Sequence, residues 1–399
     1  MLFYRYALSV SCILVAQLGS SLCQNSSNLA HWGNWGKLGI CAFGMSLGTI
    51  LLRYWAMHFS LSRWPFGSSN VESNDVYDRS DFKVYWNVPT KQCHQYGLNF
   101  SEVSKYGIIQ NNDDRFLGEK ISIFYDPGEF PAFLDKGKRR NGGLPQEGDL
   151  QRHLDVFEKE LVEFLVPDPN FSGLGIIDFE HWRPTFKQNY GVMSIYVDES
   201  IKTMRWQHPW WSSAAVEEEA ERVFEKAARD FMAATLKSAR RLRPQGKWGY
   251  YSFPLCFNFS PHNPRAKCKP SAMKENDRLD WLYSGSGALY PSLYYKKKDM
   301  TSETRADFMT GRVVEAVRLA RGNPVIPYTC LKYYDQNNEF VTKVDFHNTL
   351  KVPRKHGAAG IVIWGASRDV NTEKKCRQML DFLETVVGPA VMQTRSLKD

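Results

Sequence analysis

Residues 173–184 read Gly-Leu-Gly-Ile-Ile-Asp-Phe-Glu-His-Trp-Arg-Pro, an apolar run that ends in two carboxylates. Side chains of a strand alternate between the two faces of a sheet, so residues i and i+2 point the same way. We therefore predict that Asp178 and Glu180 share one face at the end of a buried strand. Two neighbouring carboxylates repel each other when both are ionised, which raises the pKa of one of them. The pattern indicates a general acid beside a charged group, the pairing that glycoside cleavage uses.

Short apolar runs alternate with helical patterns on both sides of this stretch. The predicted strands are 83–88, 107–110, 121–125, 173–180, 248–253, 279–283, 291–294, 325–329 and 360–364. The predicted helices are 150–165, 213–243, 302–321 and 372–387. Such alternation is typical of parallel β/α units, so we predict an α/β fold, a (β/α) barrel of the TIM type.

Functional residues of such barrels lie at the C-terminal ends of the strands. Six candidates fall at or near the ends of predicted strands: Tyr125, Asp178, Glu180, Tyr251, Tyr294 and Trp364. The placement agrees with the chemistry expected of the carboxylate pair.

The stretch at 173–184 resembles the active-site signature of the animal and venom hyaluronidases, glycoside hydrolase family 56. Further similar motifs follow in family order: Val-Tyr-Trp-Asn-Val-Pro-Thr at 84–90 with Cys93, Phe-Tyr-Asp-Pro-Gly at 124–128, Gly-Leu-Pro-Gln at 143–146, Trp-Gly-Tyr-Tyr at 248–251, Tyr-Pro-Ser-Leu-Tyr at 290–294 and Ile-Trp-Gly at 363–365. The resemblance extends from about residue 82 to 390 and implies one catalytic domain, a distorted barrel that we assign to residues 81–399.

The resemblance also implies an activity, that of an endo-β-N-acetylhexosaminidase acting on the β-1,4 links of hyaluronan. Glu180 would protonate the leaving oxygen and then activate water. The nucleophile would be the acetamido oxygen of the substrate, and the mechanism is retaining and substrate-assisted. Asp178 would stabilise the positive oxazolinium ring and help to keep Glu180 protonated. No metal and no organic cofactor is implied.

The family pattern assigns roles to the neighbouring residues. Tyr251 and Tyr294 would hold the acetamido group, and Trp364 would form a wall for its methyl group. Tyr125 and Asp126 would line the same subsite. Arg183 can orient Glu180, bind a carboxylate of the substrate or form a structural ion pair.

Two other functions remain open. A hydrolase that prefers chondroitin is the first, because chondroitin shares the alternating uronate and hexosamine plan. A non-catalytic hyaluronan-binding protein is the second, although both carboxylates are present. The net charge of +8 favours a polyanionic partner. No nucleic-acid-binding motif occurs, so we do not expect the protein to bind nucleic acid.

The N-terminus indicates secretion. Residues 1–23 have the pattern of a signal peptide, and residues 24–80 form an extension of unknown role with a 15-residue apolar segment at 38–52. That segment is shorter than a membrane span, so we interpret it as a hydrophobic linker or an interfacial segment, and it gives no firm evidence for a membrane anchor. We expect a secreted monomer.

Cysteines and sequons agree with an extracellular location. The resemblance implies the disulfides Cys93–Cys376 and Cys256–Cys268, which leaves Cys330 unpaired and Cys41 unplaced. Sequons mark three expected glycosylation sites in the barrel domain: Asn99, Asn170 and Asn258.

Overall fold

A computed structural model describes residues 82–259 and 265–396 of the chain. These residues fall within one compact unit, residues 75–399. The predicted signal peptide, the extension with its apolar segment, and Cys41 lie outside the described residues. Within the described ranges, no helix combines the length and the apolar character that crossing a membrane requires.

Eleven strands occur among the described residues. In chain order they are β1 (Lys83–Asn87), β2 (Ile108–Gln110), β3 (Ile121–Tyr125), β4 (Ala132–Phe133), β5 (Arg139–Arg140), β6 (Leu174–Asp178), β7 (Lys247–Tyr250), β8 (Tyr328–Cys330), β9 (Lys332–Tyr333), β10 (Gln336–Phe340) and β11 (Gly360–Trp364). Strands β4 with β5 and β9 with β10 form two small antiparallel pairs outside the barrel.

The barrel is built from two parallel sheets and the segment that joins them. One sheet has the order β3-β6-β7 and the other the order β2-β1-β11-β8. Isolated parallel bridges, Tyr251 to Tyr290 and Ser292 to Tyr328, connect β7 to β8 through residues 289–292. Between β2 and β3, the side chain of Asn111 accepts hydrogen bonds from the backbone of Lys120 and Ile121. The predicted barrel of the TIM type is confirmed, in a distorted form.

Alternation of side chains divides the core into two layers. One buried cluster fills the inside of the barrel and contains every second residue of the barrel strands. Its members include Tyr85, Ile121, Ile123, Leu174, Ile176, Tyr290, Tyr328 and Val362. The residues between them, such as Trp86, Ile177 and Ile363, belong to the larger cluster that packs under the helices. Strands buried on both faces read as continuous apolar runs, which is why the sequence reveals them.

The helices cover the outside of the barrel. In chain order the α-helices are α1 (Leu150–Glu160), α2 (Ser194–Gln207), α3 (Ser213–Leu242), α4 (Pro270–Arg278), α5 (Asp280–Gly285), α6 (Ser302–Leu319), α7 (Lys343–Lys355), α8 (Glu373–Phe382) and α9 (Gly388–Ser396). All four predicted helices are present, and a wide π-helical turn extends both α1 and α8. Helices α2, α4, α7 and α9 were not predicted.

Two predicted strands differ from the structure. Residues 279–283 are helical, because Leu279, Leu282 and Tyr283 are buried at the i, i+3, i+4 spacing of a helix face. Residues 291–294 take a strand position but make only isolated bridges. Pro291 has no backbone N–H to donate, which interrupts a regular ladder at this point.

Both disulfides implied by the family resemblance are present. Cys93 is bonded to Cys376 across 283 residues of sequence, and Cys256 to Cys268 across 12. The first bond joins the segment after β1 to α8, so it ties the two ends of the barrel domain together. Cys330 is a free thiol.

Candidate active site

The carboxylate pair lies where β6 leaves the barrel. Asp178 is the last residue of β6 and is paired with Tyr125 at the end of β3. Phe179 turns into the core with 3% of its surface exposed, while Glu180 opens into a cleft of about 390 Å³. Gly175 makes room for this arrangement, since a Cβ there would lie 2.5 Å from the ring of Trp248. The i, i+2 spacing therefore directs both carboxylates to the same rim.

The pKa values of both carboxyls are raised. Burial raises the pKa of Asp178 to about 7, and the negative charges of Glu180 and Asp126 add to the effect. Burial also raises the pKa of Glu180, and the nearby charge of Arg183 partly offsets that rise. Glu180 is open to solvent through the mouth of the cleft, but the cleft walls withhold bulk water from its other sides. In the unliganded protein the larger shift belongs to Asp178, the more enclosed carboxyl.

Asp126 is held by protein partners on both oxygens. Arg140 donates two hydrogen bonds to its carboxylate, at 2.6 and 2.8 Å, and the ring of His181 lies 3.1 Å away. Although burial raises the pKa of Asp126, the hydrogen bonds from His181 and Arg140 outweigh it and lower the pKa below its ordinary value. The backbone N–H of Asp126 donates to the carbonyl of Asp178 at 2.7 Å. Asp126 is thus built into the wall of the site beside Asp178 and Glu180.

Four predicted aromatic residues form a continuous wall. The ring of Tyr251 lies 6.0 Å from that of Tyr294, which in turn stacks on Trp364 at 6.0 Å. The indole N–H of Trp364 donates to the hydroxyl of Tyr125 at 2.8 Å. The hydroxyl of Tyr251 donates to Ser292 at 3.2 Å. Residues from four barrel positions, far apart in sequence, are brought together as predicted.

Three cations that lie over aromatic rings line the cleft of Glu180: Arg183, Lys296 and Arg312. The guanidinium of Arg183 lies 5.3 Å from the ring centroids of both Tyr190 and Phe257, and its Nη1 donates to the carbonyl of Gln188 at 2.6 Å. Arg183 forms no ion pair with a carboxylate among the described residues, so the structural ion pair considered above is not observed.

Arg312 and Lys296 are two cations of the cleft lining that were not among the candidate site residues. Arg312 lies 4.2 Å from the ring of Phe308 and donates to the carbonyl of Ser292 at 2.6 Å. Burial lowers the pKa of Arg312, because its enclosed charge has no carboxylate partner among the described residues. A signal existed in the sequence: Arg312 stands four residues from Phe308 and from Ala316, on the buried face of the predicted helix.

The three sequons differ in exposure. Asn99 and Asn170 are exposed. Asn258 is 3% exposed, and its side-chain amide donates to the carbonyls of Arg265 and Phe308, both at 2.8 Å. A glycan on Asn258 is incompatible with this fold, so that expectation conflicts with the geometry. The Asn258 oxygen instead accepts a hydrogen bond from Arg312 at 3.3 Å. Among the described residues no cluster of potential metal ligands occurs.

The class of protein follows from this arrangement. Barrel enzymes carry their reactive groups at the C-terminal rim of the strands, and glycoside hydrolases need a carboxyl with a raised pKa beside the sugar. This chain is a glycoside hydrolase. The sequence pattern described as "Hyaluronidase" in family 56 matches residues 71–397, and the chain belongs to that family.

Known relatives agree over most of the barrel domain. Hyaluronidase A of Vespula vulgaris is 47% identical over 316 residues, which cover 77% of this chain and 95% of the relative. The crystal structure of bee venom hyaluronidase in complex with a hyaluronic acid tetramer is 45% identical, with a TM-score of 0.76, and the match covers 78% of this chain and 99% of that one. A protein described as inactive hyaluronidase B of Vespula vulgaris is 36% identical, over 81% of this chain and 97% of its own length.

Proposed function

We propose that the protein is an endo-β-N-acetylhexosaminidase that hydrolyses the β-1,4 links of hyaluronan by a retaining, substrate-assisted mechanism. One observation carries the proposal: Glu180, with its raised pKa, is the one carboxylate among the described residues that line its cleft. Asp178 lies beside Glu180 at the same strand end, and no carboxylate of the described cleft lining faces Glu180 from the opposite wall, which fits a reaction in which the substrate supplies the nucleophile. The complex of the bee venom relative with a hyaluronic acid tetramer supports the choice of polymer.

The reaction proceeds in two steps. Glu180 gives its proton to the glycosidic oxygen while the bond from that oxygen to the anomeric carbon breaks. The acetamido oxygen of the same sugar forms a bond to the anomeric carbon, which leaves a positively charged oxazolinium ring. The ionised Glu180 then takes a proton from water, whose oxygen attacks the anomeric carbon and reopens the ring. Two displacements restore the original configuration.

Asp178 contributes through its charge. The pair of carboxyls shares protons, and the unliganded protein holds the more tightly bound one on Asp178. A positive charge developing on the acetamido group favours the ionised form of Asp178 and leaves a proton for Glu180. Substrate therefore selects the protonation state in which Glu180 is the acid and Asp178 the stabilising anion.

The aromatic wall positions the acetamido group. The phenols of Tyr251 and Tyr294 can hold its oxygen and nitrogen, and the faces of Trp364 and Tyr125 can pack against the sugar. Such positioning lowers the entropic cost of bringing the acetamido oxygen to the anomeric carbon.

The test compares the wild type with Glu180→Gln on purified hyaluronan by release of reducing ends. We expect saturated fragments from the wild type and a loss of at least about a thousandfold in Glu180→Gln. Glu225→Gln is the matched control, because Glu225 also has a pKa raised by burial but lies on α3 in a different groove. Hyaluronan from which the acetyl groups have been removed should resist cleavage. Its cleavage at the normal rate would exclude substrate assistance.

Two alternatives are outcomes of the same assay. Lys296 and Arg312 have no carboxylate partner among the described residues, so chondroitin sulfates, which carry more negative charge than hyaluronan, are tested beside it together with unsulfated chondroitin. Because one relative is described as inactive, a hyaluronan-binding protein without catalytic activity is the second alternative. Binding of hyaluronan without cleavage, at every pH from acidic to neutral, would favour that alternative.

Secretion is a further part of the proposal. The two disulfides fit an oxidising compartment, and residues 1–23 have the pattern of a signal peptide. Expression in eukaryotic cells should release protein into the medium with residues 1–23 removed, which N-terminal sequencing of the secreted chain can check.

A further inference from the structure

Lys296 stands out among the cations of the cleft. It lines the same cleft as Glu180, Tyr251 and Arg312. Its ammonium lies 5.4 Å from the ring centroid of Phe259. No carboxylate among the described residues lies within ion-pair distance of it. An aromatic face holds a cation in place and leaves its N–H groups available to a ligand.

The two lysines that follow Lys296 have different surroundings. Lys297 forms an ion pair with Glu339 and lies over the ring of Tyr333. Lys298 is exposed, as Lys296 is, but it is not part of the cleft lining. Only the first lysine of the run Lys296–Lys298 therefore faces the cleft that contains the acid.

A carboxylate that Lys296 affects through its charge, that of Asp335, already has hydrogen-bond donors. The carboxylate of Asp335 accepts the backbone N–H groups of Lys297 and Lys298, at 2.8 and 3.0 Å. The charge of Lys296 is one of the smaller contributions that lower the pKa of Asp335. This long-range attraction does not occupy the hydrogen-bond donors of Lys296.

We infer that Lys296, held over Phe259, is an anion-binding position of the cleft, separate from the subsite that holds the acetamido group. Its ligand is an anionic oxygen group on the bound polymer, a uronate carboxylate or a sulfate ester. The inference rests on the proposed function for the identity of the polymer. Lys296 is exposed at the rim of the cleft, so an ion pair formed there is weakened by salt.

The geometry explains why an ammonium suits this position. Arg312, in the same cleft, already uses donors for Ser292 and Asn258 and has a fixed direction. Lys296 carries three donors on a flexible stem and can follow an anion whose position changes between polymers. A position of this kind would add affinity without requiring one particular sugar.

The test measures kcat/KM for the wild type, Lys296→Gln, Lys296→Arg and the charge-matched control Lys298→Gln. The substrates are hyaluronan, unsulfated chondroitin, chondroitin 4-sulfate and chondroitin 6-sulfate. We expect Lys296→Gln to lose about tenfold where its anion is present, Lys296→Arg to retain most activity, and Lys298→Gln to change little. A uniform loss on all four polymers identifies a carboxylate, and a loss confined to the sulfated ones identifies a sulfate ester.

A binding measurement separates this inference from the proposed function. Glu180→Gln and the double variant Glu180→Gln, Lys296→Gln are compared for their affinity for the same polymers at low and high salt. The lysine should strengthen binding at low salt, and the difference should shrink at high salt. Absence of cleavage by the wild type would overturn the proposed function alone. Equal behaviour of Lys296→Gln and Lys298→Gln, in both rate and affinity, would overturn the anion position.

Discussion

Arg140 and Asp126 are joined by two parallel hydrogen bonds, at 2.6 and 2.8 Å, directly beside the strand end that carries Asp178. The guanidinium also donates to the carbonyl of Phe130 at 2.7 Å, so it is fixed in place. Asp126 itself adopts a left-handed backbone conformation with φ of 47°. The pairing places a neutralised carboxylate, rather than a free one, next to Asp178 and Glu180.

Arg140→Gln should move the pH dependence of the reaction. Without the guanidinium, the charge of Asp126 acts more strongly on Asp178, and a negative neighbour raises the pKa of a carboxyl. We expect the alkaline limb of the profile of kcat/KM against pH to shift to higher pH, with a lower maximal kcat because the loop at Asp126 loses its anchor.

Arg139→Gln is the control for that experiment. Arg139 is the neighbouring residue on β5, but it pairs with Glu147 and Glu199 at 3.0 and 2.7 Å, away from Asp126. Replacing Arg139 should leave the profile of kcat/KM against pH unchanged. Identical profiles for the two variants would show that Arg140 does not act on the pair.

Asp178→Asn should make stability less dependent on pH. The pKa of Asp178 is about 7 in the fold, above its ordinary value of 3.8, so the fold favours the protonated form. The stability this proton contributes is fully present below about pH 4 and is lost as the pH rises through 7. The wild type should therefore lose about 2–4 kcal/mol of unfolding free energy over this interval that the variant keeps. Urea unfolding at pH 4, 5.5 and 7 measures the difference, and a constant difference would contradict the raised pKa.

Tyr251→Phe should lower kcat more than it raises KM. The phenol is held by Ser292 at 3.2 Å in the cleft of Glu180, where it can hold the acetamido group during ring formation. Loss of a hydrogen bond that strengthens in the transition state costs about tenfold to a hundredfold in rate. Tyr250→Phe is the control, since that hydroxyl donates to the buried carbonyl of Met232 at 3.0 Å. A change in KM alone would indicate simple ground-state binding by Tyr251.

The two disulfides should differ in their effect on stability. Closing a loop of 283 residues restricts the unfolded chain more than closing one of 12. The loop-entropy relation gives about 5.5 kcal/mol for the first bond and about 3 kcal/mol for the second. Urea unfolding of the variant with Cys93→Ala and Cys376→Ala, beside the one with Cys256→Ala and Cys268→Ala, should show this order. The reverse order would mean that native contacts, rather than chain entropy, set the contribution.

Much of the barrel could be predicted because its strands are local apolar runs. β1, β3, β6 and β11 are buried on both faces, and their sequences show it without tertiary information. The run at 279–283 was misread because five residues cannot separate a short buried helix from a strand. The strand position at 289–292 depends on pairing with Tyr251 and Tyr328, which no local pattern contains.

The residues of the candidate site also fall into two groups, those that local motifs predict and those whose place depends on tertiary packing. Asp178, Glu180 and the aromatic residues stand in motifs at strand ends, so spacing and family resemblance identified them. Arg312 and Lys296 come from the chain beyond β7, and their place in the cleft depends on how α6 and the segment before it pack. The burial of the Asn258 amide likewise depends on carbonyls of residues distant in sequence.

The sequence by itself determined most of the barrel strands, the carboxylate pair and the family, because each depends on residues adjacent in the chain. The tertiary structure decided which carboxyl carries the larger pKa shift, that Arg140 neutralises Asp126, and which cations have no carboxylate partner among the described residues. These properties depend on distance and on exclusion of water, and both arise only when β3, β6, β7 and the helices around them converge at one rim.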